Sequence, residues 1–318
     1  MPARHSIAAL LSTAIALIAG TVSGQDFPGK PIRIVTAAAG GTGDFTTRTL
    51  AKGLTDSAGW AVIVDNRPGG LSAIETVVKA PPDGYTLLVD SLAFLVGPLR
   101  PKIYYDMVAD FSPVALITNS PAVLAVHPSL AVKSVRELIA LAKARPGDLN
   151  YGSTGIGGIA HLTGELFKSM AGVNIVHVPY KATAQAMTEV ISGQVQLIFV
   201  PTGPAAPHIK SGRLRALAVT GARPSPLLPG VPTVAATLPG FEATSLVGIF
   251  APAKTPAAIL NRLSQEIVRA LHREDVGERF LSAGVEPAGS SPEEFAAKII
   301  SETAKWTKVV LDAGIKAN

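Results

Sequence analysis

The sequence predicts an α/β fold of two lobes with a cleft between them, and three observations carry that expectation. A β-branched run, a glycine loop and a helix start follow one another near the beginning of the chain and again near its middle, an alternation that builds a parallel or mixed sheet flanked by helices. The ~290 residues that follow a leader-like N-terminus exceed what one hydrophobic core usually covers. Residues 247–250 read as a strand that returns the chain to its first half, so the lobes are joined by two crossings, a hinge suited to clamshell closure.

Residues 1–24 read as an export signal: Arg4 and His5 precede an apolar stretch over 7–20, and the small residues Val22, Ser23 and Gly24 follow. Cleavage near residue 24 places the chain in the periplasm, and no later stretch supplies the roughly 20 apolar residues of a membrane span. Residues 31–35 form the first predicted strand, Ala39-Gly-Gly-Thr-Gly-Asp44 the first glycine loop, and Phe45, Leu50 and Leu54 the stripe of a helix. Strands at 61–64 and 86–89 follow, separated by a loop at Gly69 and Gly70 and a helix over 72–79. An apolar segment over 113–126, broken by Asn119, Ser120 and Pro121, leads into the second lobe.

There Ser134 and Glu137 make a capping-box pattern ahead of Val135, Leu138, Ile139 and Ala142. Residues 149–151 enter the second loop, Tyr151-Gly-Ser-Thr-Gly-Ile-Gly-Gly158, and the next helix carries Leu162, Leu166 and Phe167. Strands are predicted at 175–178, 195–200 and 216–220, then a proline-rich connection over 224–239. Thr255-Pro256 and Ser291-Pro292-Glu293 cap two final helices that pack back on the first lobe. Lobe 1 is therefore expected to comprise 25–120 and 248–318, and lobe 2 to comprise 121–247.

A net charge of +5 raises the question of nucleic acid as a partner. The basic residues are scattered and aromatics are only 5% of the chain, which leaves neither a phosphate-tracking stripe nor a stacking platform. A mildly basic surface that steers small anions is the simpler account. The absence of cysteine removes disulfides, a thiol nucleophile, thiolate metal sites and a lipid attachment point.

The first glycine loop fits two readings: backbone N–H groups at a helix N-terminus that favour an anion, or a turn whose glycines only satisfy the backbone. The second loop, at the corresponding place in the second half, adds the hydroxyls of Ser153 and Thr154 and favours two anion cradles facing one cleft. Four or five hydrogen bonds to a carboxylate supply roughly 6–15 kcal/mol before ordering costs. An α/β enzyme using the loop at 152–160 is the alternative, because Gly155-Ile-Gly-Gly-Ile-Ala160 matches a dinucleotide fingerprint. About twenty residues on, however, the chain reads Asn174-Ile-Val-His-Val178, with no acidic side chain for a ribose. Ser153 lacks the preceding glycine of a nucleophile elbow. The histidines lack metal-ligand spacing, and His161 is either a ligand contact or a structural cap. Lys181, after Val178-Pro-Tyr, either offsets ligand charge or is a solvated lysine. Ser91, Pro201 and Thr202, just after predicted strands, join the candidate set with Tyr180.

An ordered series of motifs then marks a family. Pro28-Gly-Lys-Pro-Ile-Arg-Ile-Val35, the first glycine loop, Asp65-Asn-Arg-Pro-Gly69, Pro81-Pro-Asp-Gly-Tyr-Thr-Leu87, Asp110-Phe-Ser-Pro-Val114, Asn150-Tyr-Gly-Ser153, His161-Leu162, His177-Val-Pro-Tyr-Lys181, Leu217-Ala-Val219 and Val231-Pro-Thr233 run from about Phe27 towards the C-terminus. On these residues the chain resembles the Bug-type extracytoplasmic receptors, the solute-binding components of tripartite tricarboxylate transporters. The resemblance implies the type II periplasmic binding fold, a Venus flytrap that closes on a ligand in the interlobe cleft. It implies a small carboxylate, such as a di- or tricarboxylate or an aromatic acid, gripped at Ala39, Gly40, Gly41, Thr42 and Asp44 and opposed by Ser153, Thr154, Gly155, Gly157 and His161. It further implies a monomeric binding protein rather than an enzyme, without cofactor or metal, and integral membrane subunits as partners. The sequence departs from the family at Gly69-Gly-Leu-Ser72, at Ala182 and at Gln196, the last standing where an aspartate is frequent.

Overall fold

The computed structural model describes residues 27–68, 71–92, 105–106 and 109–315. The expected export signal and the Gly69-Gly70 loop lie outside the described residues. Strand β1 (Ile32–Thr36) is followed by α1 (Thr42–Ala58), β2 (Val62–Asn66), α2 (Leu71–Val78) and β3 (Thr86–Ser91). Strand β4 (Phe111–Val126) leads to α3 (Val135–Ala144), β5 (Asn150–Ser153), α4 (Ile159–Ala171), β6 (Val176–Pro179), α5 (Thr183–Ile191), β7 (Leu197–Pro201), α6 (Thr202–Lys210) and β8 (Arg215–Val219). Strand β9 (Thr244–Pro252) and helices α7 (Ala257–Leu271), α8 (Glu274–Ser282) and α9 (Pro292–Asp312) complete the chain.

Two mixed sheets result. The first has the order β2-β1-β3-β9-β4, with β1 parallel to β2 and β3 and with β9 antiparallel to both its neighbours. In the second, β4 pairs antiparallel with β7 and β8, and β5 lies parallel to β7 and β6. Strand β4 belongs to both: Phe111 to Pro121 pair with β9, and Ala122 to Val126 pair with β7 and β8. The polar break expected at Asn119, Ser120 and Pro121 is thus no break in the strand. It is the stretch where one strand leaves the first sheet for the second.

Both faces of each sheet are covered, which explains the near-continuous apolar runs of β4, β7 and β9. Helices α1, α7 and α8 cover one face of the first sheet through Leu50, Leu54, Leu263, Ile267 and Phe280. Helix α2 and the start of α9 cover the other with Ile74, Val77, Phe295 and Ile299. Around the second sheet, α3 and α4 bring Leu138, Leu162 and Phe167 to one face, and α5 and α6 bring Met187, Val190 and Ala205 to the other.

The caps hold in part. Ser291 accepts from the Glu294 backbone and Glu294 returns a bond to the Ser291 N–H, with Pro292 in the first turn, a complete capping box. Ser134 accepts from the Glu137 backbone N–H, but the Glu137 carboxylate accepts from Lys133 N rather than Ser134 N. Thr255 does not cap α7: its hydroxyl donates to the Pro252 carbonyl at 2.7 Å, within its own turn.

Packing of the last helix differs from expectation. Phe295 and Ile299 sit on the first sheet, whereas Trp306, Val309 and Val310 pack with Leu124, Leu138 and Phe167 of the second. Twenty-one residues at 1.5 Å rise make α9 long enough to span both. It docks where Gly248 leaves room, since a Cβ there meets the Phe295 ring. Gly248→Ala should therefore cost about 1–3 kcal/mol by forced repacking. A urea unfolding midpoint equal to that of the wild type would show that Phe295 swings clear.

Candidate functional site

The loop between β1 and α1 is held from beneath by one carboxylate. Asp44, buried in the first turn of α1, accepts from Gly40 N at 3.0 Å through Oδ2. Its Oδ1 accepts from Arg48 Nε at 2.7 Å and Asn66 Nδ2 at 2.9 Å. Asn66 also donates to the Ala37 carbonyl at 3.0 Å, and Arg48 Nη2 donates to Asn66 Oδ1 at 2.8 Å. The Gly40 N–H bond, with Asn66 and Arg48, holds the Asp44 carboxyl below its ordinary pKa against the opposing effect of burial. Asp44 thus turns both oxygens onto its own loop and its neighbours, while Ala39, Gly40, Gly41 and Thr42 stand exposed above it.

The second loop rests on a stack of aromatic and imidazole rings. Ser153, 1% exposed, lies 2.6 Å from His177 Nε2 and donates to the Gly155 carbonyl at 3.1 Å. With the hydroxyl proton spent on that carbonyl, the imidazole Nε2–H donates to Ser153 Oγ. His177 stacks on His161 with ring centroids 3.9 Å apart. His161, itself buried, accepts from Gly157 N at 3.0 Å through Nδ1. Below them the Tyr151 hydroxyl donates to Glu165 at 2.6 Å, and Glu165 pairs with Lys168. Thr154, Gly155 and Gly157 form the open rim, and both glycines take positive φ, as the turn reading also requires.

A cavity of 480 Å³ lies between the two sheets, within the roughly 300–1,000 Å³ of small-molecule sites. The starts of four helices line it: Thr42 of α1, Ile159 and Ala160 of α4, Thr183 and Ala184 of α5, and Pro201 with Pro204 at α6. None of these four N-termini has a side-chain cap. Helices α7 and α8 lack caps as well, so what sets these four apart is their convergence on one space. Each leaves backbone N–H groups unpaired and adds about half a positive charge. The hydroxyl-bearing residues Thr118, Ser120, Thr163, Thr183 and Ser245 complete the polar lining, and no charged side chain is among the described residues of the wall.

Of the candidates, Thr42 and Pro201 line this cavity, and Ser91 and Gly157 line an adjoining smaller one. Thr202 is buried, its hydroxyl donating to the Pro121 carbonyl at 3.0 Å, a strut to the shared strand. Tyr180 packs half-buried with the α5 face of the second sheet. Lys181 is exposed and lines neither cavity. Ser153, His161 and Asp44 act on the loops from behind. Gln196 accepts from Asn150 N at 2.9 Å ahead of β7, at the end of the strands away from the cavity. Sequence reasoning missed Thr118, Ser120 and Ser245. Their signal is a hydroxyl every second residue facing one side of a strand, passed over because Ser120 reads as part of a break and Ser245 lies ahead of the strand expected over 247–250.

The floor and back of the cavity include a contact without side chains. A Cβ at Gly203 of α6 would lie 2.8 Å from Gly284 Cα and 3.2 Å from the Ala283 carbonyl, so the two backbones touch.

The histidine pair makes stability depend on pH. Burial, then the neighbouring His161, pushes His177 down to about 4, and burial lowers His161 too. A folded-state pKa below the unfolded value near 6.5 means that acid protonates the unfolded chain first. Stability should therefore fall as pH drops from about 6.5 towards 4, by up to 1.4 kcal/mol per pH unit for one fully shifted group. His177→Gln, which keeps a donor for Ser153, should flatten that limb in urea titrations at pH 7 and 5. Equal slopes would remove His177 from the account.

Comparison with known proteins agrees with this architecture. The model of the tripartite tricarboxylate transporter family receptor matches residues 46–315. Protein BugT of Bordetella pertussis is 36% identical over 310 residues, covering 95% of each chain. The structure of R. palustris Rpa4515 with adipate superposes with a TM-score of 0.73 at 36% identity, over 92% of this chain and 99% of that one. MatC (Rpa3494) from Rhodopseudomonas palustris with bound malate gives 0.67 at 29% identity, over 89% and 100%. The fold is that of the two-lobed periplasmic binding proteins, and with the extent of these matches the chain belongs to the tripartite tricarboxylate transporter receptor family.

Proposed function

We propose that the chain is an exported, periplasmic, monomeric receptor that captures a small carboxylate between its two sheets and presents it to integral membrane subunits. The observation that carries the reading is the convergence of four uncapped helix N-termini and several hydroxyls on a 480 Å³ cavity whose described wall bears no charged side chain. Such a wall binds an anion through backbone N–H groups and helix dipoles, without a buried cation to desolvate. The adipate and malate of the two related structures support the same chemistry. In this reading residues 1–24 are the cleaved export signal, 25–120 with 248–318 form one lobe, whose last helix reaches onto the core of the second, and 121–247 form that second lobe.

A second reading has one observation in its favour, the 2.6 Å approach of Ser153 Oγ to His177 Nε2. A serine nucleophile needs an accessible hydroxyl and a base active near neutral pH. Ser153 is 1% exposed, its proton serves Gly155, and His177 is pushed down to about 4. The pair supports the loop, and the protein acts without catalysis or cofactor.

A thermal-shift screen of mono-, di- and tricarboxylates tests the receptor reading. An acid at a hundredfold excess over its Kd should stabilise the protein by about 2.7 kcal/mol. Thr42→Trp, which puts an indole into the cavity from an exposed position at the start of α1, should abolish that shift while leaving the unliganded melting temperature within a few degrees. Retained binding moves the site elsewhere, and turnover of an ester or a shift with a dinucleotide revives the enzymatic reading.

A further inference from the structure

A second cavity, of 180 Å³, adjoins the first and shares Ile159 and Ser245 with it. Beyond that partition its walls are Leu92 past the end of β3, Leu162 of α4, Leu246 of β9, and Trp306 with Glu302 of α9. A cavity of about 150 Å³ with aliphatic and aromatic walls suffices for a benzene ring. Two polar features sharpen the chemistry. Thr244, 5% exposed, contributes to this wall, and its Oγ1, itself buried, has no hydrogen-bond partner among the described residues. Glu302, 3% exposed, is already satisfied. It accepts from Lys305 at 2.7 Å and from the Trp306 indole at 2.8 Å, and pairs with Lys298 at 3.2 Å.

Lys298 also pairs with Glu242 at 2.9 Å, so two ammonium groups and two carboxylates balance behind this wall. A second carboxylate entering here would meet a buried carboxylate and no uncommitted cation among the described residues of the wall. Burying an unpaired charge is far costlier than burying a hydrocarbon. An alkyl or aryl group instead finds leucine, isoleucine and indole surfaces.

We propose that this side chamber receives the apolar tail of a monocarboxylate whose carboxylate is held at the helix N-termini of the main cavity. The inference rests on the receptor reading and narrows its ligand from carboxylates in general to acids with one charged end. Ile159, exposed at the start of α4 and common to both spaces, forms the threshold that the tail crosses.

Calorimetry with matched probes tests it: propionate, hexanoate, adipate and hydrocinnamate. Hexanoate and hydrocinnamate should bind about tenfold or more tightly than adipate, which has the length of hexanoate and a charge in place of its methyl end. Filling the chamber with Thr244→Leu should reduce the hexanoate-to-propionate affinity ratio by about tenfold. Ser91→Leu, at a half-exposed strand end that also lines the chamber, serves the same purpose if Thr244→Leu fails to fold. Adipate binding as tightly as hexanoate, or an unchanged ratio in a folded variant, overturns the side chamber while leaving the receptor intact. Absence of binding by all four acids while another acid of the wider panel binds overturns the chamber alone, and silence across the whole panel overturns the receptor reading with it.

Discussion

Everything in this molecule depends on one strand being shared. Strand β4 gives the residues up to Pro121 to one sheet and those from Ala122 to the other, and β9 runs antiparallel beside its first part. Two sheets joined in this way cannot slide independently, because the ladder fixes their common edge. The cavity exists because the sheets diverge from that edge, and the hydroxyls of Thr118, Ser120 and Ser245 line it because alternate residues of the shared strands face the gap. The long α9, seated on both cores, ties the sheets together a second time.

The loops that face the gap are built so that charge stays behind them. Asp44 spends its carboxylate on Gly40, Arg48 and Asn66, and the motif Asp65-Asn-Arg gains a physical meaning: Asn66 bridges the loop to Asp44, while Asp65 binds Arg33 and Arg67. Under the second loop, His177, His161, Tyr151 and Glu165 play the same part with neutral imidazoles and a phenol. In each lobe the side chains with the most chemistry shape the backbone, and the backbone meets the cavity. This arrangement offers an anion preorganised dipoles at no cost of desolvating a cation.

Much of this was legible in the residues. The recurrence of strand, glycine loop and helix specified two α/β units, and Ser134 and Ser291 marked helix starts that the structure keeps. What an amphipathic stripe cannot specify is its partner: Phe295, Ile299, Trp306 and Val310 lie on one face of α9, yet its two ends pack on different sheets. Roles within the loops were equally hidden, since a pattern such as Gly-Gly-Thr-Gly-Asp does not say whether the carboxylate points at a ligand or at the backbone. The hydroxyls of the shared strands escaped notice because burial of both sheet faces erases the usual polar alternation.

The touch between Gly203 and Gly284 sets a limit of another kind. Neither residue offers a functional group, and a methyl at Gly203 would stand 2.8 Å from the opposite α-carbon. Two positions without chemistry are thereby among the least free in the chain. They are also coupled, because relief at one has to come from displacement at the other. Drift in this sequence can remodel the cavity through its hydroxyls and aliphatic walls far more readily than through this pair, so the spacing of the two sheets here can persist while the choice of solute changes around it.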